Sequence, residues 1–469
     1  MREIFHYNDK GDPFDVDAYK LAALFAAENK TIFCRDEDEI YQYQSETGLY
    51  SRLTKQQAMN GIEKILMREI IIEGSPTALL KKKTVGFLAG TVDALKGVGC
   101  KEGDIFARQK IIHCKNGVLV FEKGEFALKK FSPSFWSRNR IEIDFDAKAK
   151  CPRFLNELLL PMLPEHDIEM LQRIAGQMVI GNNICQKILL MIGLAGTGKT
   201  TQLQVFGKII GRNNISALRT DLLAERFEFA NYVGKTMLEG RDVSSDYLQH
   251  PTSSALKSLC GGDLLGAEIK GVRHHVQFCG SFNIVITSNS RQKAPIDNDL
   301  DAWRRRLVII DFDRPRAPGA KIIPGFADIL VAEEGQGIFA WMVEGATRLL
   351  NDIDAGRGFQ MNEIQRGRVD RMLDESDSIR IFINRKCERN IAYDISTDEL
   401  CRAYNDFCDD NSWAPTAQKA FESRAGDLML QIHRVTRAHD IKRNGKNCRG
   451  FRGIKLNHVF ETEDEAFQW

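Results

Sequence analysis

The sequence has no C-x-x-C pair, no long apolar run and almost no net charge. Its eleven cysteines are scattered from Cys34 to Cys448, a distribution that fits neither a disulfide framework nor a zinc site, so we interpret them as reduced thiols. No uncharged apolar stretch reaches the roughly 18 residues of a membrane span, and the charged start "MREIFHYNDKGDPF" is unlike a signal peptide or an anchor. These absences argue against a secreted protein and against a membrane protein.

The balance of 65 basic and 64 acidic residues excludes no class of partner, because charges that cancel in sum can still be segregated in space. Apolar residues make up 43% of the chain, which is enough for folded cores. A chain of 469 residues exceeds the size of one ordinary core. We therefore predict three domains, over residues 1–150, 151–375 and 376–469.

The first segment predicts an α+β domain. Hairpins are expected around Glu46-Thr47-Gly48 and around Lys123-Gly124. Between them, Thr54 and Gln57 form a capping box ahead of apolar residues at helical spacing.

The central segment alternates strand-like and helical stretches, which predicts a parallel α/β sheet. Helical periodicity over 152–180 is interrupted at Pro161 and Pro164. Two more helices are expected near 327–352 and 360–375. The strand candidates are "KILLMIG", Thr236–Leu238, Phe282–Thr287 and Leu307–Ile310.

The last segment predicts helices followed by a basic hairpin, as in a winged-helix domain. Ser396 and Glu399 make a capping box, a second helix is expected near 416–431, and Asn444-Gly445 is typical of a hairpin turn. Residues 434–455 carry eight Lys or Arg and one acid, a density that favours contact with DNA phosphates over a solvated wing without a partner. The candidate DNA-binding residues here are Lys442, Arg443, Lys446 and Arg449.

A glycine-rich stretch, "GLAGTGKT", follows the first central strand and opens a helix. This pattern predicts a nucleotide site in which backbone N–H groups surround phosphates, Lys199 meets the β and γ phosphates, and Thr200 reaches Mg²⁺. We expect ATP and Mg²⁺ as cofactors. The candidate binding residues are Gly193, Ala195, Gly196, Thr197, Gly198, Lys199, Thr200 and Thr201.

Such a site needs an acid at the end of a neighbouring strand. The stretch "GKTMLEGRDV" offers Glu239 and Asp242, and the choice depends on where the strand ends.

Five motifs in order extend the pattern: "SPSFWSRNRIEIDFDAKAKCPRFL", "GLAGTGKTT", "LCGGDLLGAEIKG", "VITSN" and "DAWRRR". Over nearly the whole chain they resemble the superfamily 3 helicases, and most closely the phage and plasmid primase-helicase family that includes the poxvirus primase-helicase. The resemblance implies an AAA+-like α/β P-loop NTPase core and an ATP-dependent DNA helicase. It also implies a cytoplasmic location in a prokaryotic or phage-infected cell.

By position, the resemblance places the metal-side acid on Asp242, beside Thr200, and a γ-phosphate sensor on Asn289. The family often has a second acid where this chain has Ser244. The residue that activates water is therefore open between Asp246 and Glu239.

Arginines before the last central strand act on the next subunit's nucleotide in this family, which implies a homo-oligomer, most simply a hexameric ring. Arg305 is the first choice, with Arg304 and Arg306 close behind. A hairpin in "AEIKGVRHHVQF", with Lys270, Arg273 and His274 near its tip, would hold single-stranded DNA in the ring. The alternative for the arginines is a solvated basic turn, and for the hairpin a surface hairpin without a ligand.

Two functions other than a helicase also fit the sequence. The basic C-terminal segment also suits an initiator that binds origin duplex DNA and uses ATP as an assembly switch. The second rival is a primase-helicase, in which Asp144 and Asp146, at the end of the predicted strand "IEIDFD", would hold catalytic metals. No third acid accompanies that pair, so we expect it to be structural and a separate primase to act beside the helicase on forked DNA.

Overall fold

The computed structural model describes residues 4–74, 76–103, 105–106, 110–270, 276–292, 300–314, 323–411 and 413–457. The chain forms two compact units: Met1–Arg291 with Arg305–Gln365, and Gln292–Arg304 with Arg366–Trp469. The predicted division into three domains stays a prediction. No helix among the described residues is both long and apolar enough to cross a bilayer.

The N-terminal part of the first unit combines small sheets with three longer helices. A four-stranded sheet has the order β5-β4-β3-β6, a three-stranded one the order β7-β8-β9, and β1 pairs with β2. The elements are β1 (Phe5–Tyr7), β2 (Pro13–Val16), α1 (Ala18–Asn29), β3 (Thr31–Cys34), β4 (Glu39–Gln44), β5 (Leu49–Arg52), α2 (Lys55–Glu73), α3 (Pro76–Leu80), α4 (Val85–Val98), β6 (Cys100–Lys101), β7 (Ile111–Cys114), β8 (Gly117–Glu122) and β9 (Glu125–Lys129).

Local sequence signals in this part were accurate. The hairpins β4–β5 and β8–β9 are confirmed, with their turns at the predicted residues. Thr54 accepts a hydrogen bond from the backbone of Gln57, and the Gln57 side chain accepts one from the backbone N–H of Thr54, so the capping box is also confirmed.

The predicted strand "IEIDFD" is wrong. Ile141 forms one isolated bridge with Cys114, and residues 142–146 form no strand. Asp146 instead accepts a hydrogen bond from the backbone N–H of Lys148. The Asn116 side chain donates to the carbonyl oxygen of Phe145 and accepts from its N–H. Over residues 144–146, side-chain bonds from Asn116 to Phe145 and from Asp146 to Lys148 therefore take the place of a sheet ladder.

The central part of the first unit contains a five-stranded sheet of order β11-β12-β15-β10-β16, with every neighbouring pair parallel. The parallel sheet is thus confirmed, and β11 is an edge strand that the sequence pattern missed. From residue 154 the elements along the chain are a π-helix (Phe154–Leu159), α5 (Leu160–Met162), α6 (Glu165–Ile180), β10 (Ile188–Gly193), α7 (Lys199–Ile210), β11 (Ile215–Ala217), β12 (Met237–Gly240), α8 (Ser254–Gly261), β13 (Asp263–Ala267), β14 (Val276–Gly280), β15 (Asn283–Ser288), α9 (Leu300–Arg306), β16 (Leu307–Phe312), α10 (Phe326–Asp354) and α11 (Glu363–Ser376). Of these, α9 up to Arg304 and α11 from Arg366 belong to the second unit.

The strand order sets the position of the candidate site. β10 comes first along the chain yet lies between the fourth and fifth strands of the sheet, so the chain leaves it toward one edge and later crosses it toward the other. In open parallel sheets, ligands bind outside the carboxyl ends of the strands where the order reverses in this way. Residues of α6, α7 and α10 pack with the strands in one apolar core that supports this edge.

The second unit contains helices and a three-stranded antiparallel sheet of order β17-β19-β18. Its core includes the buried aromatic residues Phe382, Tyr404 and Phe421. The Ser396–Glu399 capping box and the turn at Asn444-Gly445 are confirmed. The elements after α11 are α12 (Ser378–Lys386), β17 (Cys387–Ser396), α13 (Thr397–Asp410), α14 (Gln418–Leu428), a π-helix (Met429–His433), β18 (Arg437–Arg443) and β19 (Lys446–Leu456).

Candidate functional site

The glycine-rich loop, residues 193–200, connects β10 to α7 and depends on glycine at two positions. Gly193 has φ 153° and Gly198 has φ 92°. A Cβ atom on Gly193 would lie 2.2 Å from the carbonyl oxygen of Phe312, and one on Gly198 would lie 1.8 Å from the Met162 sulfur. At Gly193 the backbone of Phe312 leaves no room for a side chain, whereas at Gly198 it is the positive φ that favours glycine, since the flexible Met162 side chain can move.

The loop leaves the start of α7 open to an anion. Gly198 is the N-cap residue of α7 and brings no side chain to the first N–H groups of the helix, which carry partial positive charge. Ala195 and Gly196 lie exposed at the tip of the loop, and Thr200 is exposed on the first turn of α7, next to the half-buried Thr201. The hydroxyl of Thr197 closes the loop by donating to the carbonyl oxygen of Leu194 at 2.8 Å.

Lys199 is 5% exposed and folds back over the glycine-rich loop. Its Nζ donates to the carbonyl oxygens of Gly193 and of Leu194, the latter at 2.8 Å, and lies 3.4 Å from Oδ1 of Asn289. Burial lowers the pKa of Lys199, and the negative charge of Asp242 opposes that shift. The ammonium group is thus held at the mouth of the loop by neutral oxygens, where a bound anion would favour its charged form further.

The two strand-end acids have different surroundings. Glu239, 7% exposed, accepts from Nε and Nη2 of Arg241 at 3.1 and 2.7 Å through Oε2. Its Oε1 has no hydrogen-bond partner among the described residues and would lie 3.1 Å from a Cβ atom on Gly207, so it faces the later part of α7. Asp242 is exposed and follows the end of β12 at Gly240. Of the two acids, Asp242 is the one whose negative charge raises the pKa of Lys199.

The donors around the loop fit Mg²⁺ better than a metal held by protein alone. The described residues contain no group of three or more His, Cys, Asp or Glu arranged for a metal. Mg²⁺ typically keeps several waters and is bound by one or two carboxylates together with substrate phosphates. The exposed Thr200 hydroxyl and the Asp242 carboxylate match that requirement, whereas Ser244 and Asp246 lie exposed on the following loop.

The three arginines of α9 have three different environments. Arg304 forms ion pairs with Asp301 at 2.5 Å and with Asp370 at 2.8 Å, all within the second unit. Arg306 is 7% exposed and interacts with the Cys260 thiol at the end of α8. Arg305 is exposed, and its side chain forms no ion pair with any described residue. Among the three, Arg305 is the guanidinium most accessible to another molecule.

Of the predicted basic hairpin in the first unit, the two paired strands are confirmed: β13 pairs with β14 in antiparallel register, from Asp263 with Gly280 to Ala267 with Val276. Lys270 lies exposed beyond β13. Arg273 and His274 lie outside the described residues.

The C-terminal hairpin presents only part of its predicted basic set to solvent. Lys442, Lys446 and Arg449 are exposed. Arg443 instead donates from Nε to Oε1 of Glu399 at 2.7 Å and so ties the hairpin to the start of α13. Arg443 therefore has a structural contact within the second unit. Contact with DNA stays a prediction for all four residues of the predicted basic set.

Comparison with known proteins gives two kinds of similarity. A model described as "Family of unknown function (DUF5906)" matches residues 191–306, a range that contains Lys199, Asp242, Asn289 and the α9 arginines. The comparison with curated proteins gives no match.

Among solved structures, the chain is similar to the A-form apo structure of the NrS-1 C-terminal region, at 12% identity over 92% of this chain and 98% of that one, with a TM-score of 0.48. It is also similar to an apo structure of NrS-1 residues 305–718, at 12% identity over 93% and 99% of the two chains, with a TM-score of 0.46. With TM-scores below 0.5, neither likeness decides the fold or the function.

Proposed function

We propose that this protein is an ATP-driven DNA helicase of superfamily 3 type, with an α/β P-loop NTPase core, that acts in the replication of a phage, a plasmid or a related mobile element. The observation that carries the proposal is the convergence of three chain segments at the carboxyl edge of one parallel sheet. Lys199 of the glycine-rich loop lies 3.4 Å from Oδ1 of Asn289 at the end of β15, and the charge of Asp242, just after β12, raises the pKa of this lysine. A structural glycine turn would not require a buried lysine at that point.

The residues around the glycine-rich loop would divide the binding of ATP among them. The loop backbone and the start of α7 bind the phosphates, and Lys199 moves from the loop carbonyls onto the β and γ phosphates. Asn289 orients the attacking water. Bound Mg²⁺ would neutralise phosphate charge in the transition state, and Thr200 and Asp242 would hold it.

The proposal includes a ring. Arg305 is an exposed arginine of α9 that forms no ion pair with any described residue, so it is our choice for a residue that completes the nucleotide site of a neighbouring subunit. In a hexamer, the β13–β14 hairpins would line the central channel, with Lys270 near the single-stranded DNA. Hydrolysis at successive interfaces would move these hairpins along the strand.

The second unit supports a DNA-binding role. Its order of α12, β17, α13, α14 and the β18–β19 hairpin is consistent with a winged helix, and Lys442, Lys446 and Arg449 would contact DNA phosphates. The same exposed residues favour the second candidate function, an ATP-switched initiator that binds origin duplex DNA and unwinds little. In either case we expect a separate primase.

The decisive experiment combines ATP hydrolysis with strand displacement on forked DNA. Wild-type protein should hydrolyse ATP faster with DNA present and should separate the strands. Lys199→Ala should lose both activities and keep its DNA affinity, because the second unit is unchanged. Lys208→Ala is a matched control, since Lys208 lies in the last turn of the same helix and pairs with Asp328.

The outcomes separate the alternatives. ATP hydrolysis that survives Lys199→Ala would overturn the nucleotide-site assignment. DNA-stimulated hydrolysis without strand displacement would favour the initiator. Primer synthesis from nucleotides on a bare template would favour the primase-helicase.

A further inference from the structure

We propose that Thr287 is a positioning residue that holds Asp242 in its metal-binding conformation and ties it to the strand that carries Asn289. The inference rests on the proposed nucleotide site and extends it to a residue whose side chain is not among the phosphate or metal ligands. Thr287 lies within β15, is 4% exposed and stands two residues before Asn289.

The contacts between the two segments are continuous. The backbone N–H of Asp242 donates to Oγ1 of Thr287 at 3.0 Å. The next N–H, of Val243, donates to the Thr287 carbonyl oxygen at 2.9 Å. The Ser288 hydroxyl then donates to the Val243 carbonyl oxygen, also at 2.9 Å. Three hydrogen bonds thus fix the loop after β12 to the end of β15.

The hydroxyl bond acts at a point where the backbone needs support. Asp242 has φ 50°, a left-handed conformation that aspartate adopts more readily than most residues but that still has a cost. The carboxylate itself is exposed. The bond from the Asp242 N–H to Thr287 supports the backbone conformation from which the side chain projects.

The same strand end connects the two halves of the site. Asn289 lies 3.4 Å from Lys199, and Lys199 responds to the charge of Asp242. A displacement of the β15 end would therefore move the proposed phosphate sensor and the proposed metal-side acid together. Thr287 thus links the backbone of Asp242 to the strand that ends at Asn289.

The test compares Thr287→Val, which keeps the shape and removes the hydroxyl, with Thr287→Ser, which keeps the hydroxyl. Thr236→Val is the matched control. Thr236 is a 6% exposed threonine just before β12, at the opposite end of that strand from Asp242, and its hydroxyl donates to the Asn214 carbonyl oxygen at 3.3 Å. Thr287→Ala repeats the measurement if the valine variant does not fold.

Two readouts are needed. Mn²⁺ in place of Mg²⁺ is titrated by electron paramagnetic resonance in the presence of a non-hydrolysable ATP analogue, and the Mg²⁺ dependence of ATP hydrolysis is measured separately. The loss of one hydrogen bond that supports a metal ligand corresponds to a change of roughly tenfold in the equilibrium constant for metal binding. We expect Thr287→Val to weaken Mn²⁺ binding about tenfold and to raise the Mg²⁺ requirement by a similar factor, with metal-free nucleotide binding unchanged.

The serine variant and the Thr236→Val control should resemble the wild type. Metal binding that is unchanged in Thr287→Val, or that is lost equally in the serine variant, would overturn the inference. If Asp242→Asn also leaves Mn²⁺ binding unchanged, the proposed metal site is wrong. If only Asp242→Asn weakens it, the site stands and the role of Thr287 is refuted.

Discussion

The two acids near the end of β12 should separate in experiment, one affecting stability and the other turnover. Glu239→Gln removes the charge of a carboxylate that is 7% exposed and that accepts two hydrogen bonds from Arg241. Asp242→Asn removes the charge of an exposed carboxylate that acts on Lys199. The substitutions are the same in kind, so each serves as the control for the other.

The structure gives the magnitudes. Hydrogen bonds to a charged group contribute about 1.5–3 kcal/mol, but the Arg241 side chain is 48% exposed, so solvent screening reduces the loss to about 1–2 kcal/mol. For Glu239→Gln we therefore expect a melting temperature lower by roughly 2–4 °C and a kcat within a few fold of wild type. For Asp242→Asn we expect unfolding within about 0.5 kcal/mol of wild type and a kcat lower by a factor of about 10² or more.

The assay is ATP hydrolysis at saturating ATP and Mg²⁺, with thermal and urea unfolding of the same samples. Binding of an ATP analogue should persist in both variants, because Lys199 and the loop backbone remain. If Glu239→Gln abolishes turnover while the protein stays folded and Asp242→Asn is mild, the assignment of the acids is reversed. Comparable losses in both variants would mean that the pair acts as one unit.

Two further predictions concern the oligomer and the C-terminal hairpin. Arg305→Ala and Lys199→Ala proteins, each inactive alone, should regain ATP hydrolysis when mixed, because some interfaces then pair an intact loop with an intact arginine; subunit exchange without rescue would contradict a role in trans. The pair with Arg443 lowers the pKa of Glu399 to about 2 from a usual value of 4.5, so its contribution to stability is complete above pH 4.5 and is lost as the pH falls toward 2. Glu399→Gln keeps the capping box but not the charge, and its urea unfolding should therefore change less between pH 5 and pH 3 than that of the wild type; equal changes would refute the pair's contribution.

Local signals in the sequence predicted the local structure well. The capping boxes at Thr54 and Ser396 and the turn at Asn444-Gly445 depend on residues within a few positions of each other. Their geometry is therefore encoded in a short stretch. The glycine-rich loop belongs to the same class, because its φ values and the helix that follows are properties of eight consecutive residues.

Features that depend on distant partners were not predictable. The three-residue strand β11 exists because Ile215 to Ala217 pair with Met237 to Glu239, and nothing in "ISA" signals a strand. Conversely, "IEIDFD" alternates like a strand but forms no ladder, because the Asn116 side chain takes up the Phe145 backbone groups. An alternating pattern indicates which face a strand would bury, whereas a neighbouring strand decides whether it forms.

The acids near β12 show how this limit affects a functional assignment. The pattern predicted a strand over Thr236–Leu238, whereas β12 runs from Met237 to Gly240, so Glu239 lies inside the strand. The parallel partner of Glu239 is Val285 on β15, and it is the same strand, two residues further on, that bonds the N–H of Asp242. The chain separation in that bond is 45 residues. The backbone conformation at Asp242 therefore depends on the pairing of β12 with β15. The sequence around residue 242 contains the acid, but it does not contain Thr287, whose side chain supports that conformation.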